Sequence, residues 1–336
     1  MRGKCIRVTS CLLCSLFLLS CSTAKKISIE GRAQGTTYHI TYYSKDSKSY
    51  QKEVDSLLRQ LDLSLSTYVP TSLISRVNQN DADAVADQHF TTVFNKAREV
   101  SVNTGGSFDV TVAPLINAYG FGFTKREKVN AAMIDSLLRL VSYKRVRLEG
   151  GKIIKDTSQI MLDFNAIAQG YSVDVLACFF DSKKIHNYLV ELGGEVKASG
   201  RKEKRQPWKV GIDQPNEDPY ADHALKAVVI LRDKALATSG NYTKFYEEDG
   251  QRYAHIINPT TGLPSKHNLV SASVIANDCM TADAYATAFM VMGMEKAIEF
   301  LATHRELNLD VYFILDDHGA WKTYSSEGLK QWMQEY

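Results

Sequence analysis

Apolar and polar positions alternate in ISIEGRAQGTTYHITYY (27–43), which predicts strands on either side of Gly35. The spacing changes in YQKEVDSLLRQLDLSLS (50–66), where leucines recur at the helical interval. TTVFNKAREVSVNTGG (91–106) reads as a helix that stops at its glycine pair. FDVTVAPLINAYGFG (108–122) mixes Pro, aromatic and Gly residues and predicts an irregular, close-packed segment, followed by a helix over 131–141. QIMLDF (159–164) predicts a strand, AIAQGYSVDVLACFF (166–180) a helix, and NYLVEL (187–192) a strand running into Gly193-Gly194. Further strands are expected at 195–199, 208–213, 225–232 and 269–277, and one long helix from about 279 to 302. The pattern closes with a hairpin, LDVYFILDD (309–317) and AWKTYSS (320–326), about His318-Gly319. Strands and helices are mixed without regular βαβ alternation, so the expected class is α+β in one compact unit.

The first residues break this pattern. MRGKCIRVTSCLLCSLFLLSC has Arg2, Lys4 and Arg7, then an apolar run from Cys11 to Leu19 that is too short for a permanent membrane span. It ends in Leu18-Leu19-Ser20-Cys21, which resembles a bacterial lipobox and implies lipidation of Cys21; an ordinary cleaved signal peptide is the alternative. The expected organisation is a leader over 1–21 and a single unit over 22–336.

Composition is ordinary for a folded protein, with 44% hydrophobic and 23% charged residues. The formal net charge of +2 becomes −1 once the three basic leader residues are removed, since no acidic residue precedes Cys21. The body has no basic surplus, which argues against nucleic acid as a partner. Of the six cysteines, only Cys178 and Cys279 follow Cys21. Both lie in apolar stretches and are expected to be buried free thiols, with a single disulfide between them as the alternative.

Four segments carry more polar and glycine residues than packing alone requires. In LDFNAIAQGYSVD (162–174) a strand ends at Asp163, turns over Asn165-Ala166 and enters a helix. Such a junction suits a phosphate or a metal, or Asp163 simply caps the connection. In STYVPTSLISRVN (66–78), Ser72 could cap a short helix. Tyr68 could stack on a flat ring or pack in the core. In HIINPTTGLP (255–264), His255 is a general base near neutral pH or a loop histidine bonded to backbone. In TADAYATAFMVMG (281–293), Asp283 and Thr287 lie four apart on one helical face. They offer a carboxylate and a hydroxyl to a hard cation such as Mg²⁺, unless Asp283 only complements the helix dipole.

Taken in order, AQGTTY, STYVPTSLISRVN, GGSFDVTVAPLINAYGFG, LDFNAIAQGYSVD, ELGGE, ATSGNY, HIINPTTG and TADAYATA resemble the FAD:protein FMN transferases, the ApbE family. The resemblance spans about 28 to 300. It implies a fold similar to a tunnelling-fold arrangement of sheet and helices. It also implies a lipid-anchored flavin enzyme of the periplasm or cell exterior. Members use FAD and Mg²⁺ to place FMN on a threonine or serine of a partner protein, releasing AMP. Their acceptors include subunits of Na⁺-translocating NADH:quinone reductase and Rnf-type complexes.

On this resemblance Asp283 and Thr287 bind Mg²⁺ together with the backbone carbonyls of Ala166 and Ala286. Tyr68 stacks on the isoalloxazine, and Ser107, Phe108, Asp109 and Asp163 contact FAD. His255 matches the essential histidine. Gln34 and Gln169 take cofactor-contacting positions where many members have Met and Lys, and Asn165 stands in place of Gly. An FAD pyrophosphatase yielding FMN and AMP, or a flavin-binding lipoprotein without catalysis, are the alternative functions.

Overall fold

The computed structural model describes residues 24–122, 129–216, 224–241, 245–248, 251–254 and 256–336, with backbone alone for 245–248 and 251–254. Cys21 and His255 lie outside the described residues.

The chain opens with β1 (Lys25–Ala33) and β2 (Thr36–Ser44), the predicted pair about Gly35, followed by α1 (Gln51–Leu65), α2 (Leu73–Asn78) and α3 (Gln88–Asn103). Val54, Leu58, Leu61 and Leu65 form the buried stripe of α1. Ser72 caps α2 as expected, its Oγ accepting from Ser75 N–H at 3.2 Å. The segment expected to be irregular contains α4 (Ala113–Ala118), with Pro114 in its first turn, where a missing N–H costs nothing. Next come α5 (Ala131–Leu138), the short pair β3 (Val146–Glu149) and β4 (Lys152–Lys155), α6 (Ala168–Ser182), β5 (Tyr188–Leu192) and β6 (Glu195–Ser199). β7 (Trp208–Asp213), β8 (Leu225–Leu231), β9 (Ala235–Gly240), β10 (Phe245–Glu248), β11 (Gln251–Ala254) and β12 (Leu269–Ala276) lead to α7 (Cys279–Met292) and α8 (Met294–Thr303). The predicted hairpin β13 (Asp310–Asp317) and β14 (Ala320–Ser325) follows, then α9 (Glu327–Lys330) and β15 (Met333–Glu335).

An antiparallel sheet in the order β1-β2-β5-β6-β9-β12-β13-β14 organises these elements. β12 and β13 are buried on both faces over most of their length. On β13, Val311, Phe313 and Leu315 join the core beneath α1, α3, α6 and α7. Tyr312 and Ile314 point the other way, onto a three-stranded sheet β15-β8-β7 anchored by Trp208. Period-two alternation thus divides one strand between two cores. The result is the α+β class expected from the sequence.

Three expectations fail for local reasons. QIMLDF forms no strand, because Leu162 pairs with a side chain: its N–H donates to Asn78 Oδ1 (2.7 Å) and its carbonyl accepts from Asn78 Nδ2 (2.8 Å). The helix expected to run to 302 breaks at Gly293, whose φ of +79° ends α7 before α8 starts. Cys178 is exposed on α6 rather than buried, while Cys279 is buried; both are free thiols.

Candidate functional site

A cavity of about 1000 Å³ opens at the end of the large sheet that carries the β1–β2 and β5–β6 turns. Its volume lies at the upper end of the range typical of small-molecule sites. Gln34, Tyr68, Ser107, Phe108, Asp109 and Asp163 line it, and so do Ala166, Gln169, Asp283 and Thr287. Segments far apart in sequence meet here. Ala286 is fully buried on α7 and is not among the lining residues.

α7 brings Asp283 and Thr287 to the cavity. The helix forms because Asp278 caps it, accepting from Thr281 N–H at 2.8 Å, and because its alanines favour the conformation. Asp174 on α6 holds the same end, accepting from the N–H groups of Cys279 (2.9 Å) and Met280 (2.8 Å). Burial pushes the Asp174 carboxyl up to about 6, against the pull of those two N–H groups.

Asp283 is buried and accepts a hydrogen bond from Gly170 N–H at 3.0 Å. Burial raises its pKa to about 7; the Gly170 N–H pulls it down and the charge of Asp174 pushes it up. The contact depends on Gly170, since a Cβ there would stand 2.4 Å from the Cys279 carbonyl oxygen and 2.7 Å from Asp283 Cβ. Thr287 shares a hydrogen bond with Ser239 of β9 (2.9 Å between oxygens). Among the described residues no three of His, Cys, Asp and Glu converge. Any cation here would meet one carboxylate, hydroxyls and backbone carbonyls, which is the donor chemistry of hard ions.

The other acidic residues are engaged differently. Asp163 accepts from its neighbour Asn165 through N–H (2.6 Å) and Nδ2 (3.1 Å), a local turn rather than a helix cap. Asp109 accepts from Thr111 N–H (2.8 Å), Thr111 Oγ1 (2.6 Å) and Tyr143 N–H (2.7 Å). Burial raises both carboxyls against these bonds.

Tyr68 stands 62% exposed at the lip, which decides against the core reading and leaves a ring face for a flat ligand. Gln34 sits at φ +51°, its Nε2 donating to Ser172 Oγ (2.7 Å) while its buried Oε1 has no partner among the described residues. Ile256, Ile257 and Pro259 line the cavity, and Asn258 closes the turn by accepting from Thr260 N–H (2.8 Å) and Thr261 N–H (3.2 Å). The segment that follows His255 in sequence therefore borders the site.

Sequence reasoning missed Ser239 and Asp62 as site residues. Ser239 lies in ATSGNY, quoted above without a role, and its bond to Thr287 was not foreseeable. Asp62 lines the cavity from α1, with its carboxyl raised by burial, and looked like one more polar position of an amphipathic helix.

Residues 34–313 match the ApbE family. The FAD:protein FMN transferase of Vibrio cholerae is 36% identical over 334 residues, covering 96% of this chain and 98% of that protein. Its counterpart in Haemophilus influenzae is 33% identical, with 94% of each covered. The solved flavin transferase ApbE from Vibrio cholerae superposes with a TM-score of 0.81 at 34% identity, over 92% of this chain and 99% of that one. The apo form of the Pseudomonas stutzeri flavinyl transferase ApbE also gives 0.81, at 32% identity, over 91% and 96%.

Proposed function

Because this chain belongs to the ApbE family and transfers FMN from FAD to a protein, we propose that the transfer uses Mg²⁺ and ends on a serine or threonine hydroxyl. Asp283 and Thr287, with the backbone carbonyls of Ala166 and Ala286, are the proposed ligands. The observation that carries this reading is Asp283: a buried carboxylate, facing a cavity, with one backbone N–H as its hydrogen-bond donor among the described residues. A buried charge so thinly compensated suits a cation. When bound, Mg²⁺ supplies charge neutralisation to the pyrophosphate oxygens.

The chain's own groups do the rest. Tyr68 offers its exposed ring to the isoalloxazine, and the open Oε1 of Gln34 accepts a hydrogen bond from the flavin nucleotide. Ser107, Phe108, Asp109, Asp163 and Gln169 shape the walls around FAD. His255 takes the proton of the acceptor hydroxyl as that oxygen attacks the FMN phosphorus. The phosphorus–oxygen bond to AMP breaks, and AMP leaves with the former bridging oxygen. The product is a phosphoester. Asp283 is the rival base wherever no cation engages its carboxylate.

Cys21 is the proposed lipid anchor, with the body facing the periplasm or the cell exterior. The acceptors are flavoprotein subunits such as those of Na⁺-translocating NADH:quinone reductase or Rnf-type complexes. The test combines protein, FAD, Mg²⁺ and a candidate acceptor, then weighs the acceptor and counts AMP. One bound FMN per AMP is expected. Free FMN beside an unmodified acceptor would instead support a pyrophosphatase.

A further inference from the structure

The cavity occupies one end of the large sheet; the opposite end is basic. There β1 starts with exposed Lys25 and Lys26. Lys26 pairs with Tyr43, whose N–H donates to the Asn187 carbonyl (3.0 Å), and Asn187 Oδ1 accepts from Arg201 N–H (2.8 Å). Lys26, Tyr43 and Asn187 stand in one row across the sheet, about 10 Å long at the usual strand spacing, and the Asn187 side chain holds Arg201 at its end. Arg201, Lys202, Arg205 and Asn187 line a cleft of about 480 Å³ that holds no carboxylate.

The loop that builds this cleft is shaped by specific contacts. Lys202 N–H donates to the Gln206 carbonyl (2.8 Å), and Lys202 Nζ lies 5.3 Å from the centre of the Trp208 ring. Gly200 N–H donates to Asp233 Oδ1 (2.8 Å). Glu203 is the acidic residue within the loop. Arg201, Lys202, Lys204 and Arg205 make no ion pair among the described residues. The body as a whole carries about −1, so this concentration of cations is local.

We propose that this end of the molecule rests on an anionic membrane surface, with Arg201, Lys202 and Arg205 receiving a phospholipid headgroup phosphate. Tether length fixes the occupant. Cys21 precedes Lys25 by four residues, a reach of at most about 14 Å. For its tether the inference rests on lipidation of Cys21. An anchor that short brings the Lys25 end of the sheet, and the cleft beside it, to the headgroups. The nine residues of β1 then hold the cavity about 30 Å above the surface, open to an acceptor segment that projects that far.

The test separates patch from anchor. Every described element starts at or after Lys25, so the chain from Ser22 keeps the whole fold without a lipid. It should co-sediment with phosphatidylglycerol–phosphatidylethanolamine vesicles, far less with phosphatidylcholine vesicles, and release as salt rises. Arg201→Glu/Arg205→Glu should weaken this binding by more than about 25-fold, at roughly fivefold or more per cation. Its melting temperature and FMN transfer in solution should not change. Equal binding to both vesicle types, or undiminished binding of the double variant, overturns the proposal. Retention of inorganic phosphate without vesicle binding also overturns it. Lipid mass at Cys21, read separately on the full chain, tests the anchor alone.

Discussion

Asp109 and Asp283 line the same cavity, both buried, and their surroundings could hardly differ more. Three donors converge on Asp109, two on one oxygen and one on the other. Among the described residues Asp283 receives one, from Gly170 N–H. The first carboxylate closes a turn; the second leaves lone pairs facing open space. Burial and acidity are therefore poor markers of a chemical site. What separates the two is how much of their bonding capacity the chain itself satisfies.

The sharpest break of this contrast is a paired substitution. Asp283→Ala should bring FMN transfer to background, a loss beyond about 10³-fold, with the fold retained. Asp109→Ala strands three donors and should lower stability by about 1–3 kcal/mol in urea unfolding, with activity falling through the folded fraction and FAD affinity while transfer at saturating FAD persists. If the two effects are exchanged, the contrast has been misread.

His255→Asn extends the comparison to the loop beside the cavity. Transfer should drop about 10²–10⁴-fold while FAD affinity and melting temperature stay close to wild type. A rate that falls only in proportion to FAD binding makes His255 a bracing residue.

The pH dependence of stability is a smaller effect with a definite sign. Folding raises the Asp283 pKa from 3.8 to about 7, so the fold favours the neutral acid. That contribution is complete below about pH 4 and is lost as pH rises through about 7. In chelator, Asp283→Asn should gain melting temperature relative to wild type from pH 4 to pH 8, and Mg²⁺ should narrow the gap at pH 8. A gap independent of pH contradicts the assignment. Smallest of all, Thr287→Val should weaken Mg²⁺ affinity by about tenfold, measured by titration against transfer rate.

Much of this architecture was legible because alternation and helical spacing are strong where one face is buried. The β1–β2 pair, α1 and the β13–β14 hairpin are such cases. The central strand β9 was not, since ALATSG has one large apolar residue, Leu236, among small ones and little contrast to read. QIMLDF misled in the opposite way: its apolar run is strand-like, but the amide of Asn78, 84 positions away, occupies the place of a partner strand. In the site, Asp283 and Thr287 were visible from a four-residue interval. The saturation of Asp109 was not, because the Tyr143 N–H that completes it lies 34 residues on.

Gly170 sets a dimension. With no Cβ between them, α6 and α7 approach until the Gly170 N–H reaches Asp283 and the Cys279 carbonyl sits against the glycine. The turn at Ala166 and the face of α7 are thereby separated by a length gauge whose shim is a single hydrogen atom. Ion radii differ on this scale: oxygen lies about 2.0–2.1 Å from Mg²⁺ and about 2.3–2.6 Å from Ca²⁺. A methyl group at residue 170 would force a shift of comparable size. At the proposed Mg²⁺ site, the choice of ion would then be calibrated by a residue that never touches it.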